Sequence, residues 1–228
     1  AVVVMTLTAT NLPLVFLFLL YAIYLPILAL RGNREYWDAL ENEHLLQVKS
    51  EQIEELSRID GLTGLYNRRY FEEVFSRQWK NAARNSIPIS IIIGDIDHFK
   101  TINDTYGHQA GDAFLQELAR LLSGIIKRET DFIGRYGGEE FVMLMLNLGP
   151  GENQRLAEQI RERIEGMVFA YEGRHIRATI SLGAASCIPG KEDRKAHFLK
   201  KADDALYRAK NLGRNRVVFC PDRVDAPN

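Results

Sequence analysis

Cysteine is scarce in this sequence, which contains only Cys187 and Cys220. Neither has a second cysteine or a histidine at the spacing that zinc and iron–sulfur sites use, and the histidines also lack ligand spacing. A metal centre built on thiolates is therefore excluded. The two residues are interpreted as reduced thiols of a protein domain in the cytosol.

An excess of basic residues is also missing, because 29 Lys and Arg balance 30 Asp and Glu to give a net charge of −1. Proteins that bind nucleic acids generally are usually strongly basic on at least one face. Nucleic-acid polymers are therefore not expected among the partners.

Charged residues are absent before Arg31, and the stretch from Leu12 to Leu30 is drawn only from apolar residues, tyrosine and proline. As a helix this stretch would be about 28 Å long, close to the thickness of the hydrocarbon core of a bilayer. Arg31 and Arg34 follow it, and this order places the C-terminal side in the cytoplasm. Residues 1–31 are thus predicted to form a transmembrane helix in the inner (cytoplasmic) membrane, as the C-terminal end of a membrane region that can be longer.

Two alternatives remain for this segment, a cleaved signal peptide and an internal helix. A signal peptide normally carries its positive charge before the apolar run, whereas here the basic residues come after it. Pro13 and Pro26 indicate a kinked or capped span, which membrane helices tolerate.

Residues 32–59 are predicted to form a helical linker, because residues 35–59 contain neither glycine nor proline. A heptad repeat of apolar residues indicates a short coiled coil, formed by Ala39, Leu46 and Ile53. Asn42 and Lys49 interrupt the other seam position, so a solvated helix packing on its own domain is the alternative.

From Asp60 onward the sequence alternates between helix and strand patterns. Helices are predicted at 66–84, 99–105, 111–126, 152–166 and 194–210, and strands at 87–95, 131–136, 140–146 and 216–219, with a hairpin over 168–186 turning near Glu172-Gly173. This order predicts an α+β fold of the ferredoxin-like or palm type, with a mostly antiparallel central sheet flanked by helices. The domain is expected to cover 60–220, followed by a disordered tail over 221–228.

Carboxylates follow apolar strands at two places. Asp95 and Asp97 end the isoleucine-rich strand, and Glu139 and Glu140 come directly after a glycine pair. A carboxylate beside buried strands is costly unless a cation neutralises it, and Mg²⁺ bound by oxygen ligands is the natural solution. Each cluster taken alone is also compatible with a solvated turn.

The combination of motifs resembles the GGDEF family of diguanylate cyclases over about 60–219. The resemblance is carried by Gly137-Gly138-Glu139-Glu140-Phe141 together with residues 60–69, 95–100, 103–108, 111–112, 135–136, 202–210 and 213–215. It implies the condensation of two GTP molecules into cyclic di-GMP and two pyrophosphates.

The resemblance also implies a metal site. Asp95, Glu139 and the backbone carbonyl of Ile96 would hold two Mg²⁺ ions, or Mn²⁺, against the triphosphate. Glu140 would bind metal or activate the attacking hydroxyl, and the two roles stay open.

Substrate contacts follow from the same comparison. Asn103 and Asp112 would recognise guanine, and Gly137 and Gly138 would let the nucleotide approach the backbone. The phosphates would be bound by backbone amides near His98 and Phe99 and by the cations Lys100, Lys210 and Arg214.

Each domain would bring one GTP, so the resemblance implies a homodimer. Arg128 and Asp131 have the form of the family's product-inhibition site, for which Arg161 and Arg163 are candidates for an additional arginine. Two alternatives to an active cyclase remain: a non-catalytic module that binds GTP or cyclic di-GMP, and a nucleotidyl cyclase or polymerase-like palm with another substrate.

Overall fold

The computed structural model describes residues 2–56, 58–128, 130–190 and 193–220. It divides the chain into two units, residues 1–57 and 58–228. The tail predicted to be disordered, 221–228, lies outside the described residues.

The first unit is one helix, α1 (Val2–Leu56). Within it, Phe16–Asn33 has a mean hydropathy of 1.6 and is exposed along its whole length, so this segment is long and apolar enough to cross a membrane. The side chains of Ala39 and Ile53 lie outside the described residues, and the coiled-coil seam therefore remains a prediction.

The second unit alternates short helices and strands around one large sheet. Its elements are β1 (Tyr66–Asn67), α2 (Arg68–Asn85), β2 (Ile89–Ile96), α3 (Phe99–Tyr106), α4 (His108–Ile125), β3 (Phe132–Gly137), β4 (Glu140–Leu146), α5 (Pro150–Glu165), β5 (Phe169–Tyr171), β6 (Arg174–Ile176), β7 (Ile180–Cys187), α6 (Lys195–Asn211) and β8 (Val217–Cys220). The six-stranded sheet has the order β1-β3-β4-β2-β7-β8, and β5 and β6 form a separate hairpin.

The sheet is mixed, with an antiparallel centre and parallel edges. β2 pairs antiparallel with β4 and β7, and β3 pairs antiparallel with β4. Only the edge strands β1 and β8 pair in parallel. This arrangement, with helices on both faces, confirms the predicted α+β class.

Strand β2 lies at the centre of the core, and all eight of its residues are buried. Ile91 and Ile93 pack into one apolar cluster with α2 and α6, whereas Ile92 and Ile96 pack into the other with α3, α4 and α5. Burial of each such side chain stabilises the fold by about 1.5–3 kcal/mol. The apolar run before Asp95 is continuous because both faces of the strand are covered.

The predicted hairpin over 168–186 is wrong in its second half. The turn at Glu172-Gly173 is present, with φ of +46° and +75°, but it joins only the short strands β5 and β6. Strand β7 leaves that hairpin and enters the main sheet between β2 and β8. Gly183 allows β7 to pack closely under α6 at this position in the sheet. A Cβ on Gly183 would lie 2.2 Å from the backbone of Ala202 and Leu206 in α6.

Candidate active site

The two acidic clusters predicted from the sequence meet at one edge of the sheet. The β2–β4 register places Asp95 opposite Glu140. A turn between β3 and β4, with Gly138 at a φ of +46°, places Glu139 beside them, and the Ile96 amide donates to the Glu139 carbonyl at 3.4 Å. Glycine at 138 is favoured because other residues rarely adopt this backbone conformation.

The carboxylates at this edge destabilise one another. Burial raises the pKa of Asp95, and the charges of Glu139 and Asp97 add to this, although Lys210 opposes it. Burial also raises the pKa of Glu140, and the charges of Asp95, Asp203 and Glu139 act in the same direction. The site is therefore a concentration of negative charge that favours a cation.

One cation of the protein already lies at this edge. Lys210, near the end of α6, places its Nζ 2.7 Å from Asp95 Oδ2. The sequence predicted that Lys210 would contact phosphate, whereas the structure pairs it with a carboxylate predicted to bind metal.

The donor set suits Mg²⁺, because Asp95, Glu139, Glu140 and the Ile96 carbonyl all offer hard oxygen ligands. Within the described residues, no three His, Cys, Asp or Glu side chains converge closely enough to hold an ion by themselves. Mg²⁺ is usually bound by one or two carboxylates together with water and substrate phosphates. The residues present therefore fit Mg²⁺ ions whose remaining ligands would be water and the phosphates of a bound nucleotide.

Asp97 belongs to the same acidic stretch, but hydrogen-bond donors of the protein occupy its carboxylate. It is 5% exposed, and its Oδ1 accepts a hydrogen bond from Ser181 Oγ at 2.7 Å. Its Oδ2 accepts from Thr179 Oγ1 at 2.7 Å and from the Asn215 amide at 3.0 Å. These donors occupy both oxygens, so Asp97 is a structural carboxylate.

The residues predicted to recognise guanine lie on α3 and α4, which Gly107 joins. Asn103 Oδ1 is buried and finds no hydrogen-bond donor among the described residues, while Asp112 is exposed one turn into α4. A Cβ on Gly111 would lie 1.9 Å from Asn103 Oδ1. Glycine at 111 thus leaves room for this amide.

The predicted phosphate contacts lie around the start of α3 and the loop after α6. His98 adopts a left-handed conformation, with φ of +57°, and directly precedes the first turn of α3, which contains Phe99 and Lys100. The amides of a first helical turn are suited to anions. Arg214 is exposed on the loop and has a φ of +60°.

Arg128 and Asp131 lie apart from this edge, in the segment between α4 and β3. They line a cavity of about 320 Å³ together with Leu148 and Leu156. Burial raises the pKa of Asp131 above its usual value, although the charge of Arg128 acts in the opposite direction. Glu129 lies outside the described residues.

Arg161 does not contribute to that cavity. Its guanidinium donates hydrogen bonds to Glu158, Glu165 and Asn215, and the candidacy of Arg161 or Arg163 as the additional inhibitory arginine stays a prediction. The contacts with Glu158 and Glu165 lie within α5, whereas the contact with Asn215 spans 54 residues of sequence and could not be predicted.

The family described as "Diguanylate cyclase, GGDEF domain" matches residues 57–216. The chain belongs to this family. The sequence-based recognition of a GGDEF domain is thereby confirmed.

Curated relatives agree with this assignment. The response regulator PleD of Caulobacter vibrioides is 41% identical over 191 residues, covering 82% of this chain and 40% of PleD. The diguanylate cyclase DosC of Escherichia coli (strain K12) is 39% identical over 178 residues, covering 76% of this chain and 38% of DosC. The chain thus spans about two fifths of the length of these relatives.

Solved GGDEF structures share the fold. The GGDEF domain of DgcB from Caulobacter crescentus, in complex with c-di-GMP, has a TM-score of 0.68 and 32% identity, covering 72% of this chain and 95% of that one. The diguanylate cyclase SiaD of Pseudomonas aeruginosa, in complex with its activator SiaC, has a TM-score of 0.68 and 27% identity, covering 95% of this chain and 79% of that one.

Proposed function

We propose that this protein is an active diguanylate cyclase that condenses two GTP molecules into cyclic di-GMP and two pyrophosphates. The observation that carries the proposal is the meeting of Asp95, Glu139 and Glu140 at the end of β2, in a chain of the diguanylate cyclase GGDEF family. The 3′-hydroxyl oxygen of one GTP forms a bond to the α-phosphorus of the other. The bond from that phosphorus to the β-phosphate oxygen breaks, and the step occurs twice.

Asp95, Glu139 and the Ile96 carbonyl would hold two Mg²⁺ or Mn²⁺ ions. Bound there, the ions would neutralise the triphosphate and make the 3′-hydroxyl more acidic. Glu140 is suited to orient or accept the proton of that hydroxyl, because its pKa is raised and it lies opposite Asp95.

Guanine selectivity would come from Asn103 and Asp112. The Asp112 carboxylate can accept hydrogens from N1 and the exocyclic amine of guanine, which adenine does not offer in that arrangement. The side-chain amide of Asn103 would supply a further hydrogen bond to the base.

The triphosphate would be oriented by the amides near His98 and Phe99 and by Lys100, Lys210 and Arg214. Lys210 already lies at the metal edge, and Gly137 and Gly138 leave that edge open for close approach of a nucleotide. Arginine suits a bidentate contact to phosphate, whereas lysine acts as a point charge.

One domain would bind one GTP, so we propose that two copies face each other as a homodimer. We also propose that cyclic di-GMP inhibits the enzyme at the Arg128 and Asp131 cavity. Phe16–Asn33 would anchor the protein in the inner membrane, with the catalytic domain in the cytoplasm.

The direct test is to incubate the full chain, in detergent or lipid, with GTP and Mg²⁺ and to measure cyclic di-GMP and pyrophosphate. The wild type should form both at a ratio of one to two, and the double substitution Glu139→Ala and Glu140→Ala should abolish the activity. Glu162→Ala, at an exposed position on α5, serves as the control and should leave it unchanged.

Two results would overturn the proposal. GTP binding without turnover at high protein concentration would instead indicate a signalling module without catalysis. Turnover of ATP at an efficiency similar to that of GTP would contradict the roles given to Asn103 and Asp112.

A further inference from the structure

The loop that carries Arg214 has an unusual backbone. Gly213, Arg214 and Asn215 have φ values of +110°, +60° and +45° in succession. Left-handed backbone costs a residue other than glycine about 1–2 kcal/mol, so surrounding contacts must hold such a run in place.

The Arg214 amide donates to the Ala209 carbonyl at 3.1 Å, and Arg216 Nε donates to the Arg214 carbonyl at 3.0 Å. Asn215 adds further contacts through its backbone and its side chain. Its amide donates to Asp97 Oδ2 at 3.0 Å. Its side-chain Oδ1 accepts from Arg161 Nη1 at 3.0 Å, and its Nδ2 donates to Glu165 Oε1 at 2.8 Å. Every polar group of the side chain is therefore directed at α5.

The partners of Asn215 are themselves held firmly. Arg161 also donates to Glu158 Oε1 at 2.6 Å and to Glu165 Oε2 at 2.7 Å, and its side chain is only 14% exposed. Asp97 is fixed by Thr179 and Ser181 of the β7 region. The loop after α6 is thus tied to α5 on one side and to the end of β2 on the other.

We call this network the Asn215 clamp; it consists of Asp97, Arg161, Glu165 and Asn215. Asp97 and Arg214 connect the clamp to the candidate active site. Asp97 lies two residues after Asp95 and one after Ile96, whose oxygens are proposed to bind metal. Arg214, proposed to bind phosphate, directly precedes Asn215. The clamp therefore fixes the separation between the proposed metal ligands and a proposed phosphate-binding cation.

We propose that Asn215 is a positioning residue for GTP, which acts by holding Arg214 in register with the metal-binding end of β2. This inference rests on the proposed function. Asn215 makes no contact with the nucleotide itself, and its effect passes through Arg214. Loss of the clamp should weaken GTP binding more than it slows the chemical step.

The test compares the full chain carrying Asn215→Gly with the wild type in GTP titrations with Mg²⁺. Glycine keeps the left-handed backbone accessible but removes the bonds to Arg161 and Glu165. The KM for GTP should rise about tenfold, as expected for loss of a group that supports a ligand-binding residue, while kcat changes less. Arg161→Met should shift KM in the same direction.

Asn147→Gly is the matched control, because Asn147 is exposed and also has a left-handed backbone, with φ of +53°. It lies at the end of β4, away from Arg214, so its KM should equal that of the wild type. A KM that rises equally in Asn147→Gly and Asn215→Gly would overturn the proposal.

Combining Asn215→Gly with Arg214→Ala distinguishes an effect that passes through Arg214 from a general loss of protein stability. If Asn215 acts through Arg214, adding Asn215→Gly to Arg214→Ala should raise KM no further. Additive effects, or an unchanged KM in Asn215→Gly alone, would overturn the clamp while leaving the cyclase proposal intact. Failure of the wild type to form product would overturn the cyclase proposal. The clamp would then be tested by comparing the dissociation constant for GTP, measured with Mg²⁺, between the wild type and Asn215→Gly.

Discussion

Asp95 and Glu140 face each other across β2 and β4, and each has a pKa raised mainly by burial. A carboxyl group whose pKa is higher in the folded state stabilises the fold only at low pH. This contribution is lost as the pH rises through the folded-state pKa. At neutral pH the acidic edge therefore costs folding free energy until a cation is bound.

Replacing Glu140 with glutamine should stabilise the protein and abolish its activity. The change removes one of the clustered charges and should raise the free energy of unfolding by about 1 kcal/mol at pH 7, a typical gain at a functional site. Thermal denaturation without divalent ions should show a Tm higher by about 2–4 °C. At lower pH the gain should shrink, because burial raises the pKa of Glu140 and its carboxyl group takes up a proton more readily than an ordinary glutamate.

Glu162→Gln is the control for this measurement, since Glu162 is exposed on α5, and its Tm should not change. A lower Tm in Glu140→Gln at pH 7 would show that the carboxylate is satisfied by the fold itself.

Gly111→Ala should impair GTP recognition, because its Cβ would lie 1.9 Å from Asn103 Oδ1 and 3.2 Å from Phe99 Cζ. The amide must move, so the KM for GTP should rise by about tenfold, a loss of about 1.4 kcal/mol of binding free energy. Steady-state kinetics with GTP would measure this.

Gly124→Ala makes the same change on the same helix, but its Cβ meets nothing within 4 Å. It should leave the KM unchanged and stabilise α4 by about 1 kcal/mol. Equal KM values for the two alanine variants would contradict the role given to Gly111 and Asn103.

At the scale of elements, local patterns predicted most of the sheet and helices. The isoleucine run predicted β2 because a strand covered on both faces is continuously apolar, and the glycine pair predicted the turn between β3 and β4. Boundaries shifted where side chains act as caps. Asn67 Oδ1 accepts from the Tyr70 amide at 3.0 Å and starts α2 at Arg68, two residues later than predicted.

Long-range contacts explain what could not be predicted. The place of β7 depends on α6 packing closely over Gly183, and the role of Asp97 depends on Thr179 and Ser181, which are 82 and 84 residues away in the sequence. Asp95 and Glu139 were brought together as the motifs predicted, although the metal-binding and nucleotide-binding roles remain proposals.

One long-range ion pair links the start of the second unit to the turn between β3 and β4. Arg135 donates to Asp60 Oδ1 at 3.2 Å and to the Gly138 carbonyl at 2.8 Å. Burial raises the pKa of Asp60, but hydrogen bonds from Thr63 and the charge of Arg135 outweigh it and lower the pKa below 3.8. The pair therefore stabilises the fold above that pH and is lost as the pH falls through the folded-state pKa.

Arg135→Met should lower both stability and kcat. Loss of these bonds should cost about 1–2 kcal/mol, and chemical denaturation at pH 7 would measure it. The kcat should fall because the turn carrying Glu139 loses its support at Gly138. Arg174→Met, at an exposed position in the β5–β6 hairpin, is the control, and an equal loss in both variants would contradict the account.

The Arg128 cavity makes a separate prediction. Arg128→Ala removes the cation proposed to grip the product, so added cyclic di-GMP should inhibit this variant at least about tenfold less strongly, a loss typical of one charged anchor. The uninhibited rate should stay the same because the cavity lies apart from Asp95. Initial rates measured against cyclic di-GMP concentration would show this. Unchanged inhibition would contradict the proposal that the product binds in this cavity. Arg120→Ala, at an exposed position on α4, is the control.

At the scale of the whole molecule, the family assignment covers 57–216, and the helix before it contains one segment suited to a membrane. The proposed reaction joins two GTP molecules, and with one GTP bound per domain, as proposed, two domains must meet. Anchoring in a membrane would raise the local concentration of the domains and favour that encounter.

We propose that one copy of the chain carries only half of the catalytic machinery. This proposal is tested most directly by the initial rate of cyclic di-GMP formation by the full chain, measured at saturating GTP and Mg²⁺ over a wide range of protein concentration. The specific activity should rise with protein concentration and level off once all of the protein is dimeric. A specific activity that stays constant down to concentrations at which the protein is shown to be monomeric would contradict it.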